Sequence, residues 1–174
     1  FVGTDGYGNV YPGAQIPFGG IQISPDTDSR FYDAASGYKY NHLTLMGFSL
    51  THLSGTGIPD LGDFLFIPGT GEMKLEPGTH EDPDQGYRSR YSHDKEWASP
   101  NYYAVELADY GVKAEMTSGV RSGMFRFTYP ESDNAFIMID MNHTLWQSCE
   151  WSNLRMINDS TITGYKLVKG WGPE

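Results

Sequence analysis

Residues 102–117 read YYAVELADYGVKAEMT. Apolar and polar residues alternate on either side of Asp109-Tyr110-Gly111. This is the pattern of two antiparallel strands, Tyr102 to Leu107 and Val112 to Thr117, joined by a short glycine-containing turn. The same texture continues outward from this hairpin. MFRFTY (Met124 to Tyr129) stops at Pro130, and AFIMIDM (Ala135 to Met141) follows the polar turn ESDN. Thr161 to Lys169 is a further strand, ending so near the C-terminus that its partner is expected outside the sequence. Nowhere do apolar residues recur at i, i+3, i+4 and i+7 over three turns, so no long helix is predicted. The fold class is all-β, an antiparallel β-sandwich. The N-terminal half is loop-rich: Gly, Pro, Asp and Asn punctuate it, as in GTDGYGNVYPG and EPGTHEDPDQGY, between apolar pieces such as Ile21 to Ser24 and Phe64 to Pro68. Without internal repeats or low-complexity tracts, residues 1–174 read as one domain.

A chain of 174 residues can bury a real core without a stapling metal or disulfide, and a single cysteine, Cys149, forms no internal disulfide. The net charge is −10, from 12 Lys+Arg against 22 Asp+Glu, with no basic run, which argues against nucleic acid as a partner. Aromatic residues make up 14%, including 12 tyrosines and 4 tryptophans, which suits β structure and surfaces that stack on sugar faces. No apolar run approaches the ~18 residues of a membrane span. The sequence opens at Phe1 with no charged leader, and it reads as a piece of a longer chain with any targeting signal outside it.

Chemistry-bearing constellations are sparse. His42 and His52 are ten apart and His80 and His93 thirteen apart, none in a metal-ligand motif, so no metal ligand is assigned in this chain. Asp26, Asp28 and Asp33 in PDTDSRFYD resemble a calcium loop lacking its central glycine and closing glutamate, and turn roles account for them better. No G-x-S-x-G elbow is present, and no lysine or helix follows the glycines of GTDGYGN. Asp60 with Asp63, and Asp94 with Glu96 on one face of a strand, are closely spaced carboxylates, but glycosidic hydrolysis needs a pair set across the bond, which spacing alone does not place, and unrelated surface acids are the stronger reading.

GFSLTHLSGTGIPDLGD (Gly47 to Asp63) is a polar, glycine-bent loop between apolar strands, a place where binding groups are often mounted; its glycines serving only its own turns is the alternative. Taken in order with FVGTDGYGNVYPGAQIPFGGIQISPDT and YDAASGYKY, and with the later strands, it resembles the N-terminal domain of the calcium-dependent exo-α-mannosidases of glycoside hydrolase family 92, over nearly the whole chain. The resemblance implies a supersandwich of the galactose mutarotase-like kind, packed on a catalytic (α/α)6 barrel that lies outside this sequence. It implies release of mannose from mannans or N-glycans with inversion. The acid, the base and most calcium ligands belong to the barrel, so no catalytic residue is expected here and the fragment alone is not expected to be active. An extracytoplasmic location, mannose-containing glycans and the barrel as partners, and self-association of the isolated fragment follow from the same resemblance. The substrate-binding rim that it implies comprises Asp5, Gly6, Tyr32, Asp33, Ser36, Gly37, Tyr38, His52, Ser54, Gly55, Thr56 and Asp60. For His52 and Asp60, bracing of the loop is an equal alternative. A non-catalytic carbohydrate-binding or structural module is the alternative for the domain. Four positions depart from the family pattern: Ala34-Ala35 stand where members often carry Trp-Cys, Lys39 where SGYHY has histidine, and Leu50 where GFSHTHLSGTG has histidine.

Overall fold

A computed structural model describes residues 1–29 and 34–170. The alternating segments form two four-stranded antiparallel sheets. One holds β6 (Glu96–Ser99), β7 (Tyr102–Leu107), β8 (Val112–Ser118) and β9 (Gly123–Thr128) in sequence order. The other has the order β1 (Ser24–Asp26), β3 (Gly47–Ser49), β4 (Leu65–Thr70), β10 (Ala135–Asp140). Short strands β2 (Thr44–Leu45) and β5 (Ser89–Arg90) pair with each other, and no α-helix occurs among the described residues.

Alternation sets what each sheet buries. In the β7–β8 hairpin, Tyr103, Val105, Leu107, Val112, Ala114 and Met116 enter the main core, while Lys113 faces water. Gly111 turns the chain at φ +64°, and Leu107 pairs with Val112 across the loop. On β9, Phe125 and Phe127 point inward between exposed Met124 and Thr128. Phe125 meets Phe66 of β4 at 5.0 Å between ring centroids and Phe127 meets Phe48 of β3 at 6.3 Å, so the two sheets lie face to face. Strand β4 is buried on both faces, because Leu65 and Ile67 turn the other way onto Met46 and Tyr87.

Two expectations are corrected. The strand Thr161–Lys169 (β12) does not lack a partner: it pairs along its length with β11 (Ser148–Asn158), a polar-rich segment whose alternation is too irregular to announce a strand. Asp94 and Glu96 do not share a strand face, since Asp94 sits in a 3-10 turn at His93–Lys95 and β6 begins only at Glu96.

The β11–β12 hairpin pairs with neither large sheet. Two strands alone are marginal in water, so what fastens the hairpin matters. The Lys166 side chain is 2% exposed; its ammonium lies 3.0 Å from Asp63 Oδ1, donates to the His143 carbonyl at 2.6 Å and sits 5.6 Å from the Phe64 ring centre. Truncating one partner of such a pair strands the other charge. Lys166→Ala should therefore raise amide hydrogen exchange across residues 148–169 and leave β7 and β8 protected, as read by mass spectrometry; unchanged exchange in the hairpin would show that another contact holds it.

Candidate functional site

Motifs of the loop-rich half converge on the carboxylate of Asp26, at the end of β1, which is completely buried. His52 comes from the Gly47–Asp63 loop with Nε2 2.7 Å from Oδ1; His143, in the turn after β10, comes with Nε2 2.8 Å from Oδ2. Nδ1 of His52 lies 2.7 Å from the Gln22 carbonyl, and Ser49 Oγ lies 3.0 Å from its Nε2. The Gln22 carbonyl and the Asp26 carboxylate accept only, so both ring nitrogens of His52 donate. Burial alone would raise the Asp26 carboxyl, but the His52 charge and hydrogen bonds from His143 and His52 outweigh it and hold the group well below the usual carboxylate range. Gly37 of the SGY motif closes another side at φ +84°, where a Cβ would stand 2.1 Å from Asp26 Oδ1.

The neighbours of Gly37 also point inward. Tyr38 is buried and donates to Glu96 Oε1 at 2.9 Å, an oxygen that Tyr103 also reaches at 2.6 Å. Burial, with Tyr91 and the Glu96 charge beside it, pushes the Tyr38 phenol far up. Ser36 is buried, and its hydroxyl has no hydrogen-bond partner among the described residues. His52, Ser36, Gly37 and Tyr38 thus lie inside the domain. Tyr32 and Asp33 fall outside the described residues.

The remaining positions lie outward. Leu50 to His52 and Leu61 to Asp63 run antiparallel, joined by Leu50 N–H to Asp63 O at 3.0 Å and Gly62 N–H to Thr51 O at 2.9 Å, so the loop is a hairpin with its tip at residues 53–60. At that tip Ser54 and Gly55 are exposed, Thr56 is half-buried with its hydroxyl donating to Ile58 O, and Gly55 N–H donates to Asn9 O at 2.7 Å. Asp5 and Gly6 are exposed on the adjoining loop, where Lys39 Nζ donates to Gly6 O at 2.8 Å and Tyr40 N–H to Thr4 O at 2.8 Å. Loops 3–9, 36–40 and 53–57 therefore meet at one end of the fold.

Asp60 stands apart from that group. With Asp63, Phe64, Gln147, Tyr165 and Lys166 it lines a cleft of about 490 Å³ between the loop and the β11–β12 hairpin. Leu61 and Phe64 hold left-handed backbone there, at φ +71° and +58°, conformations that bulky residues adopt only where the surroundings enforce them. Sequence reading missed His143 and Lys166, which come from distant segments and carry no spacing signal. It also missed a second imidazole group: Asp28, His42 and His80 bring one ligand-type atom each within 4.8 Å of one another. Burial, and then His80 beside it, pushes the His42 imidazole down to about 4.

An all-β sandwich with polar loops gathered at one end is the architecture of a domain that presents a surface for a ligand or for a neighbouring domain. The model of the glycosyl hydrolase family 92 N-terminal domain matches residues 1–174, and the chain belongs to that family. It is similar to the solved gh92 family glycosyl hydrolase ccman5, with 28% identity and a TM-score of 0.78 over 98% of this chain and 23% of that one. An inverting mannosidase of family GH92 from Bacteroides thetaiotaomicron shares the fold, with a TM-score of 0.62 and 24% identity over 79% of this chain and 18% of its own. Among curated proteins, an uncharacterized secreted glycosidase of Arthroderma benhamiae is 29% identical over 134 residues, 76% of this chain and 17% of the relative. The chain thus spans about a quarter or less of each of these relatives.

The geometry around Asp26 predicts a stability effect. His52→Ala removes one of two imidazoles from a buried carboxylate, a change that costs about 3–5 kcal/mol, or roughly 10 °C in Tm for a chain of this size. Gly37→Ala should be at least as damaging, because the added methyl meets the carboxylate. Thermal unfolding followed by circular dichroism checks both, and a His52→Ala Tm within a degree or two of the parent would show that water can replace the imidazole.

Proposed function

We propose that this chain is the N-terminal sandwich of an exo-acting α-mannosidase, which cleaves α-mannosidic bonds of mannans or N-glycans with inversion, and that its outward loops form part of the sugar pocket. The observation that carries this reading is the meeting of loops 3–9, 36–40 and 53–57 at one end, in a chain of family 92. Their exposed groups are short carboxylates, hydroxyls and backbone amides, the donors and acceptors that sugar hydroxyls require. The general acid and base are assigned to a catalytic (α/α)6 barrel elsewhere in the parent protein. Calcium is assigned to the same barrel. Secretion of the Arthroderma benhamiae relative supports an extracytoplasmic setting.

A second reading, structural support for the barrel, is favoured by the inward orientation of Ser36, Tyr38 and His52. Kinetics of the full-length protein on α-mannosides separate the two. Under the first, Asp5→Asn and Ser54→Ala each lower kcat/KM by about tenfold or more, equal to ~1.4 kcal/mol of transition-state stabilisation, with Tm unchanged. Unchanged kinetics for both variants favour the support role. Detectable millimolar binding of mannose or α-mannobiose to the isolated chain, worth only about −4 kcal/mol, would favour a carbohydrate-binding module.

The β11–β12 hairpin bears on the partner surface. Trp151, Tyr165 and Leu167 are exposed on one face of it and Leu154, Met156 and Ile162 on the other, apolar surface suited to burial against further protein. The isolated chain should self-associate with rising concentration in light scattering, and Leu154→Glu with Ile162→Glu should suppress this; a monomer at every concentration would place the covering surface elsewhere.

A further inference from the structure

We propose that Asp28, His42 and His80 form a binding site for one transition-metal dication of the zinc class, a site separate from the calcium chemistry of the proposed mannosidase. Three segments far apart in sequence bring these side chains together: the loop after β1, the turn before β2 and the long connection between β4 and β5. Asp28 Oδ2 lies 3.4 Å from His80 Nε2, and the two imidazole rings stand 4.1 Å apart at 50°. A tetrahedral centre with bonds of ~2.0–2.2 Å spaces its ligand atoms by roughly 3.4 Å. The Asp28–His80 pair is already at that spacing. The widest separation in the group, within 4.8 Å, closes by side-chain rotation of little more than an ångström.

The outer atoms are arranged as a ligating site requires. Metal-bound histidines are oriented by a hydrogen bond at the other ring nitrogen. Nδ1 of His42 lies 3.0 Å from Thr27 Oγ1 and Nδ1 of His80 lies 2.8 Å from Thr44 Oγ1, which directs Nε2 of each ring to the ion. Thr44 Oγ1 in turn accepts from Arg88 at 3.1 Å, and Arg88 is anchored on the Thr27 carbonyl at 2.6 Å. Two neutral imidazoles and one carboxylate select zinc, cobalt or nickel over calcium, and a fourth position remains for water. Arg88 also approaches His80 to 3.4 Å, and its charge weakens the attraction for a dication, so affinity in the micromolar range is expected. Bound metal would clamp the long β4–β5 connection onto the end of β1, next to the buried Asp26.

The test uses the 174-residue chain freed of metal by chelation, titrated with Zn²⁺ by calorimetry and with Co²⁺ by visible absorption. One equivalent should bind, with cobalt bands of a four-coordinate ion and a rise in Tm of a few degrees. His80→Gln and His42→Gln should each weaken binding by about tenfold or more, whereas Cys149→Ser should leave it intact. If either histidine variant fails to fold, imidazole NMR of the unsubstituted chain decides: zinc must shift the His42 and His80 resonances and no others. Absence of saturable binding at one equivalent, binding unchanged in His80→Gln, or loss of binding in Cys149→Ser each overturns the proposal. None of these outcomes depends on mannosidase activity, so the site and the functional reading stand or fall separately.

Discussion

The fold turns on one buried charge. An isolated carboxylate in an apolar interior is prohibitively unfavourable, so Asp26 is tolerable only with its imidazole donors in place. Those donors arrive on chain segments that share no strand: His52 on the long loop after β3 and His143 on the turn after β10. Gly37 must pass the same carboxylate with no side chain at all. Ordering this centre therefore orders the loop-rich half, which has few ladder hydrogen bonds of its own. The short length of β1, β2 and β3 then ceases to be a weakness, because a polar network replaces sheet as the organiser.

That centre also explains how one loop serves two masters. Within the segment 52–56, His52 turns in to Asp26 while Ser54 and Gly55 turn out beside Asn9. The inward residue holds the outward ones at a fixed height, and the backbone bond from Gly55 to Asn9 ties the tip to the neighbouring loop. A loop built this way is rigid at its root, and the exposed groups that it carries keep fixed positions.

Legibility in the sequence followed the range of the interactions. The β7–β8 hairpin was readable because strand alternation and the turn at Gly111 are encoded within sixteen residues, 102–117, and Met124 to Tyr129 was readable as the strand β9 that follows it. Strand β11 was not readable, because its exposed, bulged pairing with β12 leaves no clean two-residue period. The polar centre was invisible for a different reason: Asp26 and His143 are 117 positions apart, and no local pattern relates them. The same holds for His42 and His80. Spacing along the chain paired none of the histidines, whereas the fold stacks His42 on His80 and turns His52 to Asp26 and His93 to Glu96.

The departures from the family pattern gain meaning from their positions. Ala34 and Ala35 are buried, and Leu50 is half-buried against the main core. At such sites the identity of a side chain is set by the volume available and by the polar partners within reach. Leu50 keeps the backbone bond from its N–H to Asp63 O, so the base of the loop hairpin is held without a polar side chain, and apolar contact replaces whatever an imidazole would bond. Asp5, Gly6, Ser54 and Gly55 are exposed, and Lys39 reaches the same loops, its Nζ donating to Gly6 O at 2.8 Å. Ala34, Ala35 and Leu50 thus differ beneath the outward loops, where a change alters packing and loop support, whereas Lys39 differs among the outward loops themselves and bonds one to another. A change of the first kind acts through the stiffness of the loop base, and one of the second kind acts on how the outward loops are tied together.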